Sequence, residues 1–236
     1  MRPDGRAPDV LRAVTIERGY LKHADGSARI TCGDTHVICS ATLEDRVPPF
    51  LRNSGRGWVT AEYAMMPRSA QERITRDSVK KGRALEISRL IGRSLRSVVD
   101  MALLGECQII LDCDVIQADG GTRTASVTGA YVALYDALDR VVRQGRIERI
   151  PIHNQCAAVS VGIVDGEPRL DLSYAEDAAA EVDMNLVMLA DGTYIEIQGC
   201  AEGKPFSRGR MNELLDLAEG GIGHLFAIQN EALKSC

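Results

Sequence analysis

Residues 108–124 read Gln108-Ile109-Ile110-Leu111-Asp112-Cys113-Asp114-Val115-Ile116-Gln117-Ala118-Asp119-Gly120-Gly121-Thr122-Arg123-Thr124, and this stretch decides the fold. Its first part alternates and is rich in Ile, Leu and Val, so 108–117 is expected to be a strand. Asp119-Gly120-Gly121-Thr122 then makes a sharp turn. Beyond it, Val127, Tyr131, Leu134, Leu138 and Val141 recur at helical spacing. A helix over 124–144 follows, stopped at Gly145. The head of such a helix offers unpaired N–H groups and the positive end of a dipole, and glycines let an anion approach the backbone. Thr122 adds a hydroxyl donor, and Arg123 adds a planar fork suited to two phosphate oxygens. Two readings stand side by side: an anion-binding turn, or an ordinary tight turn into a capped helix. The spacing does not match the nucleoside-triphosphate P-loop.

Upstream, Ser27–Thr31 and His36–Thr42 flank Gly33-Asp34 as a hairpin. Residues 45–83 carry Pro48, Pro49, Gly55, Gly57 and Pro67 and read as irregular and basic. A loop of that length inside a compact domain is commonly functional or ordered by a partner. Leu85–Met101 reads as a helix, with Ile87, Leu90, Ile91, Leu95, Val98 and Val99 on an apolar stripe. Arg89, Arg93 and Arg96 form a second stripe, read either as a solvated face or as one that meets phosphates. Downstream, Ala157–Val164 and Arg169–Leu172 flank Asp165-Gly166, and Asp183–Leu189 and Thr193–Gln198 flank Asp191-Gly192; both are hairpin signals. Met211–Leu233 is then helical. Strands followed by helices, twice over, predict an α+β protein of two similar β-rich halves with packed helices, about 1–145 and 146–236.

The net charge is −5, which on its face argues against a polyanionic partner. Its distribution argues the other way: residues 46–96 hold 12 Lys/Arg against 4 Asp/Glu, a local +8 in a remainder of −13. Arg68, Arg73, Arg76, Lys80, Lys81 and Arg83 concentrate on the irregular segment, where basic side chains can follow a phosphate backbone without reading sequence. Aromatic residues make up only 4% of the chain, which leaves little material for base stacking. No apolar run approaches membrane-spanning length and the N-terminus is charged, so a cytoplasmic protein without membrane association is expected. Seven cysteines with no C-x-x-C pair imply reduced thiols. Cys32, His36 and Cys39 lack a fourth ligand and do not make a zinc site.

Glu176-Asp177-x-x-x-Glu181-x-Asp183 is the acidic counterpart. Asp177, Glu181 and Asp183 could converge where a loop enters a strand, giving oxygen ligands suited to Mg²⁺ or Mn²⁺; a solvated acidic cluster is the other reading.

Taken together, these motifs resemble the ribonuclease PH family over essentially the whole chain. They include Arg2-Pro3-Asp4-Gly5-Arg6, Gly57-Trp58-Val59-Thr60-Ala61-Glu62-Tyr63, Arg89-Leu90-Ile91-Gly92-Arg93-Ser94-Leu95-Arg96, Asp112 through Thr124 and Asp183-Met184-Asn185. The resemblance implies a ribosomal protein S5 domain 2-like fold, a single domain over 1–236, and a homohexamer built as a trimer of dimers. It implies phosphate-dependent 3′→5′ exoribonuclease activity (a tRNA nucleotidyltransferase) on tRNA precursors and other RNA 3′ ends. Inorganic phosphate is then the co-substrate, bound by Arg83, Gly121, Thr122 and Arg123. A divalent ion is implied at Asp177 and Asp183, with Asn185 nearby, and Arg68, Arg73 and Arg76 are implied to face tRNA. The stretch before Arg83 is shorter than the family's usual loop, and Ala84 stands where a hydroxyl residue is common.

The expected chemistry is in-line attack of phosphate on the last phosphodiester, releasing a nucleoside diphosphate, with no protein nucleophile. A hydrolytic metal nuclease would need the carboxylates but not the phosphate turn. A subunit that only binds RNA would need neither Arg123 nor Asp183.

Overall fold

The computed structural model describes residues 2–76 and 82–234. Five strands come from the first half: β1 (Val14–Arg18), β2 (Gly26–Cys32), β3 (Thr35–Glu44), β4 (Trp58–Met65) and β5 (Gln108–Gln117). They form one sheet in the order β1-β2-β3-β5-β4. Four strands come from the second: β6 (Cys156–Val164), β7 (Glu167–Leu170), β8 (Val182–Leu189) and β9 (Tyr194–Ala201), in the order β7-β6-β8-β9. The helices are α1 (Gly82–Arg96), α2 (Met101–Leu104), α3 (Thr122–Arg143), α4 (Tyr174–Asp177) and α5 (Arg208–Lys234).

The three expected hairpins form, each antiparallel with its turn at the expected glycine. Helix α3 carries buried side chains from Thr124 to Val141 and packs against β2, β3 and β6, so it joins the two sheets through one core. Helix α5 closes the second sheet through Leu214, Ala218, Ile222 and Leu225. Cys32, Cys39, Cys107, Cys113 and Cys156 are buried free thiols, while Cys200 is exposed. Burial pushes the Cys32 and Cys156 thiols up to about 12, so both stay protonated and inert.

Two expectations need correction. Residues 45–83 are not irregular throughout, because Trp58–Met65 forms β4, paired parallel to β5 from Trp58↔Gln108 to Met65↔Val115. Its alternation is carried by Val59, Ala61 and Tyr63 facing the core. Small and polar residues between them hide that pattern from a reading that weights large aliphatics. Helix α1 stops at Arg96 rather than running to Met101. Val98 and Val99 are buried all the same, held through backbone bonds from His153 N–H to Val98 and from Asp100 N–H to Pro151. Apolar spacing alone did not separate the helix from the loop that continues its buried face. Of the basic segment, Lys80 and Lys81 lie outside the described residues.

Candidate active site

Strand β5 delivers Ala118 and Asp119 to the head of α3. Gly120 and Gly121 adopt φ of 72° and 65°, the left-handed region where side chains are strained. A Cβ on Gly120 would also come 2.5 Å from the Leu172 carbonyl, so the turn tolerates no side chain there. The turn's backbone is tied from behind. The Thr35 hydroxyl donates to the Gly120 carbonyl at 2.6 Å and accepts from the Asp119 N–H at 2.9 Å. The Arg12 guanidinium donates to the Asp119 carbonyl and, at 3.4 Å, to that of Gly120. Asp171 holds Arg12 in turn, at 2.7 and 3.0 Å. Gly121, at the helix N-cap, provides no side-chain cap, which among the described residues leaves the first-turn N–H groups of α3 for an external acceptor.

This turn forms one wall of a cleft of about 440 Å³. Arg83, Thr122 and Arg123 line it, with Asp177, Asp183 and Asn185 arriving from the other half. The segment after β4, including Ala70, Gln71 and Ile74, also lines it. That segment is anchored through Met66 N–H to Val115 and Ala118 N–H to Ser69, at 2.9 and 2.8 Å. Buried Tyr63 donates its hydroxyl to Thr122 Oγ1 at 2.8 Å. Burial raises the Tyr63 pKa despite that bond, so its proton stays in place and the Thr122 proton is free to point into the cleft. Arg123 donates to Gln198 at 2.9 Å and more distantly to Glu86.

The acidic wall carries perturbed charges. Burial raises Asp177, with Arg83 and Arg123 pulling the other way. Burial also raises Asp183, and the Asp177 charge adds to it, again against Arg123 and Arg83. Asp183 Oδ1 is buried with no hydrogen-bond partner among the described residues. An orphaned carboxylate oxygen beside a second carboxylate and the Asn185 amide fits a hard divalent cation that keeps most of its waters. No group of three or more His, Cys, Asp or Glu among the described residues makes a fuller cage.

Glu181 does not join them. It is exposed and accepts from the Gly166 N–H at 2.7 Å, so the expected convergence of three acids is corrected to two. Glu176 is likewise turned away, into Arg2 and Arg169. The structure therefore gathers Arg83, Gly121, Thr122, Arg123, Asp177 and Asp183, and disperses the arginines expected to face RNA. Arg68, Arg73 and Arg76 are exposed on the segment after β4, next in sequence to the residues of it that line the cleft. Arg89 is exposed on α1, facing a separate groove beside Glu62 and Arg96. Arg93 binds Glu196 at 2.6 Å, and Arg96 stacks on Trp58 at 4.5 Å while donating to the Val59 carbonyl. Residue-type reasoning did not find Arg12, Asp171, Tyr63 and Gln198. Two of them are charges that the tertiary fold buries, and two act only through a neighbour.

The comparisons with known proteins bear on this geometry. Residues 10–138 match the model of the 3′ exoribonuclease family, domain 1, and residues 154–221 match that of domain 2. The chain belongs to the 3′ exoribonuclease family. A relative called ribonuclease PH, from Moorella thermoacetica, is 58% identical over 236 residues, covering 99% of this chain and 94% of that one. The chain is accordingly an enzyme of the phosphorolytic nucleotidyltransferase type, a phosphate-dependent 3′→5′ exoribonuclease. Its fold is shared with a chain of the Archaeoglobus fulgidus exosome solved with RNA bound to the active site. That match has a TM-score of 0.82 at 22% identity, over 96% of this chain and 91% of the other. A chain of an archaeal exosome core matches with a TM-score of 0.76 at 20% identity, over 99% and 91%.

Proposed function

We propose that the cleft binds inorganic phosphate at the Gly121-Thr122-Arg123 turn, with Arg83 lining the same cleft, and presents it to the last phosphodiester of an RNA. The observation that carries this reading is the uncapped, backbone-anchored head of α3 facing two half-buried carboxylates across one cleft. The α3 N–H groups, the Thr122 hydroxyl and the Arg123 and Arg83 guanidiniums neutralise and orient the phosphate. A phosphate oxygen bonds to the terminal phosphorus as the bond to the 3′-oxygen breaks. A nucleoside diphosphate leaves, and the shortened RNA keeps a 3′-OH. Positioning and charge neutralisation supply most of the rate, so no protein nucleophile is needed.

Asp177 and Asp183 are the ligands for Mg²⁺ or Mn²⁺, which when bound supplies charge neutralisation at the leaving 3′-oxygen. A protonated carboxyl at either position can alternatively deliver the proton that the oxygen needs. Arg68, Arg73, Arg76 and Arg89 offer the exposed cationic surface for the RNA body, and tRNA precursors are the substrates. The chain acts as one domain of two similar halves, in the cytoplasm; among the described residues no helix is long and apolar enough to cross a membrane. The homohexamer, a trimer of dimers, is supported by the fold shared with exosome-core chains. Light scattering tests it, and a stable active monomer would rule it out.

Arg123→Ala tests the site itself. Phosphorolysis is expected to fall on the order of 10³-fold while RNA affinity holds within about threefold, because the arginine contacts the nucleophile and not the polymer. Equal loss of RNA binding would contradict that division of labour.

A further inference from the structure

Behind Arg123 runs a chain of hydrogen bonds that leaves the cleft and ends on the surface. Arg123 donates through Nη1 to Gln198 Oε1 at 2.9 Å. Gln198 Nε2 donates to Glu196 Oε1 at 2.8 Å. The other oxygen, Glu196 Oε2, accepts from Arg93 Nε at 2.6 Å. Glu196 and Gln198 stand two apart on β9 and so share one face of the strand. Arg93 reaches them from α1, the helix that also carries Arg83. The relay therefore ties a helix of the first half to the edge strand of the second, with Arg123 at its inner end.

The chemistry of the partners allows one orientation. A carboxylate only accepts, and a guanidinium only donates. The Gln198 amide must turn its NH₂ to Glu196 and its oxygen to Arg123. Arg93 occupies the second Glu196 oxygen, so this carboxylate is already paired and does not compete for Arg123. Glu86 is a weaker rival, at 3.5 Å from Arg123, the limit of hydrogen-bond reach, against 2.9 Å for Gln198. One corner of the Arg123 fork is thus held by a neutral acceptor, which leaves its other N–H groups for an anion. Without Gln198, a long flexible side chain would sit beside an unshielded Glu196 and be drawn from the cleft.

We propose that Gln198, Glu196 and Arg93 are positioning residues that hold Arg123 ready for phosphate, so that Arg93 governs phosphate affinity and not RNA affinity. This rests on the reading of Arg123 as a phosphate ligand. The test measures kcat and separate KM values for phosphate and RNA in the wild type and in Gln198→Leu, Gln198→Glu, Arg93→Ala, Arg93→Lys and Arg123→Ala. Gln198→Leu is expected to raise the KM for phosphate about five- to tenfold, the scale of one ordinary hydrogen bond, and Arg93→Ala about two- to fivefold, because the Arg93 side chain is 55% exposed and its pair with Glu196 is partly screened. The KM for RNA should stay within about twofold, and kcat should change less than the KM for phosphate. Gln198→Glu keeps the size but sets a carboxylate against Arg123, and should raise the KM for phosphate at least as much. Arg93→Lys, which keeps a donor for Glu196, should recover part of the loss; a purely structural defect would not separate the two substrates in this way. Wild-type phosphate KM in both Gln198 variants, with Arg123→Ala still inactive, would overturn the relay alone. So would Arg93→Ala raising the KM for RNA and leaving that for phosphate untouched. Wild-type phosphate KM in Arg123→Ala would remove the underlying reading and the relay with it.

Discussion

Glu176 and Asp177 are neighbours in the chain, and their carboxylates meet opposite environments. Glu176 is 2% exposed and fully engaged. It accepts from Arg2 at 2.8 and 2.9 Å, from Arg169 at 3.3 Å and from the Ser173 N–H at 3.1 Å. Burial pushes its pKa up, but the bonds from Arg2 and Ser173 outweigh that and hold it below the ordinary carboxylate value. Asp177 and its partner Asp183 are half-buried; among the described residues Asp183 accepts only from the Asn185 amide, at 3.5 Å, and burial carries both above the ordinary value. Loss of water is common to Glu176 and to the Asp177–Asp183 pair; the supply of hydrogen-bond donors separates them. A buried carboxylate with saturated oxygens locks the fold, whereas one with an empty oxygen is kept for something that arrives later.

The comparison breaks most sharply at Asp183. Asp183→Asn is expected to lower phosphorolysis on the order of 10³-fold or more, with a thermal midpoint unchanged or higher, because it removes a charge that Arg123, Arg83 and Asn185 compensate only in part. Activity assays beside calorimetry decide this; a variant that loses stability along with activity would place Asp183 with Glu176. Glu176→Ala should do the reverse. It strands Arg2 and Arg169 without their shared acid, and breaking a buried pair costs about 3–5 kcal/mol, read by chemical denaturation. Activity per folded molecule should change far less than in Asp183→Asn.

The smallest effect is in pH dependence, where Glu176 and the Asp177–Asp183 pair differ in sign. For Glu176 the folded pKa lies below the ordinary 4.5, so its contribution is present above that value and is lost as pH falls through the lowered pKa. For Asp177 and Asp183 the folded pKa lies above the ordinary 3.8. The folded chain then binds more protons than the unfolded one, and stability declines as pH rises through the window between the two values. Asp183→Asn should flatten that decline, and added Mg²⁺ should offset it in the wild type only. A decline that persists unchanged in Asp183→Asn would assign it to other groups.

Much of this was readable in the sequence. The alternation of 108–117, the glycine turn and the helical spacing after it have short-range causes, and so do the three hairpins. The acid pair with Arg83 and Arg123 was readable because residue type and motif context agreed. What escaped depended on tertiary neighbours. Glu181 looks like Asp177 on paper, yet the β6–β7 hairpin claims it through the Gly166 N–H. Arg93 lies on a basic stripe with Arg89 and Arg96, but β9 brings Glu196 to it from a hundred residues away. Strand β4 was obscured because its small core residues, such as Ala61, gain meaning only beside β5. Arg12 and Asp171 carry no local signal of burial, since each is tolerated inside only because the other is there.

The central claim is that the Gly121-Thr122-Arg123 turn presents phosphate as the nucleophile, and an isotope transfer tests it directly. The enzyme is incubated with unlabelled RNA, Mg²⁺ and ³²P-orthophosphate, and the released nucleotides are separated. The account predicts that label enters the β-phosphate of nucleoside diphosphates, that RNA shortening stops when phosphate is omitted, and that Arg123→Ala abolishes both. Release of unlabelled nucleoside monophosphates, at a rate independent of phosphate, would contradict it.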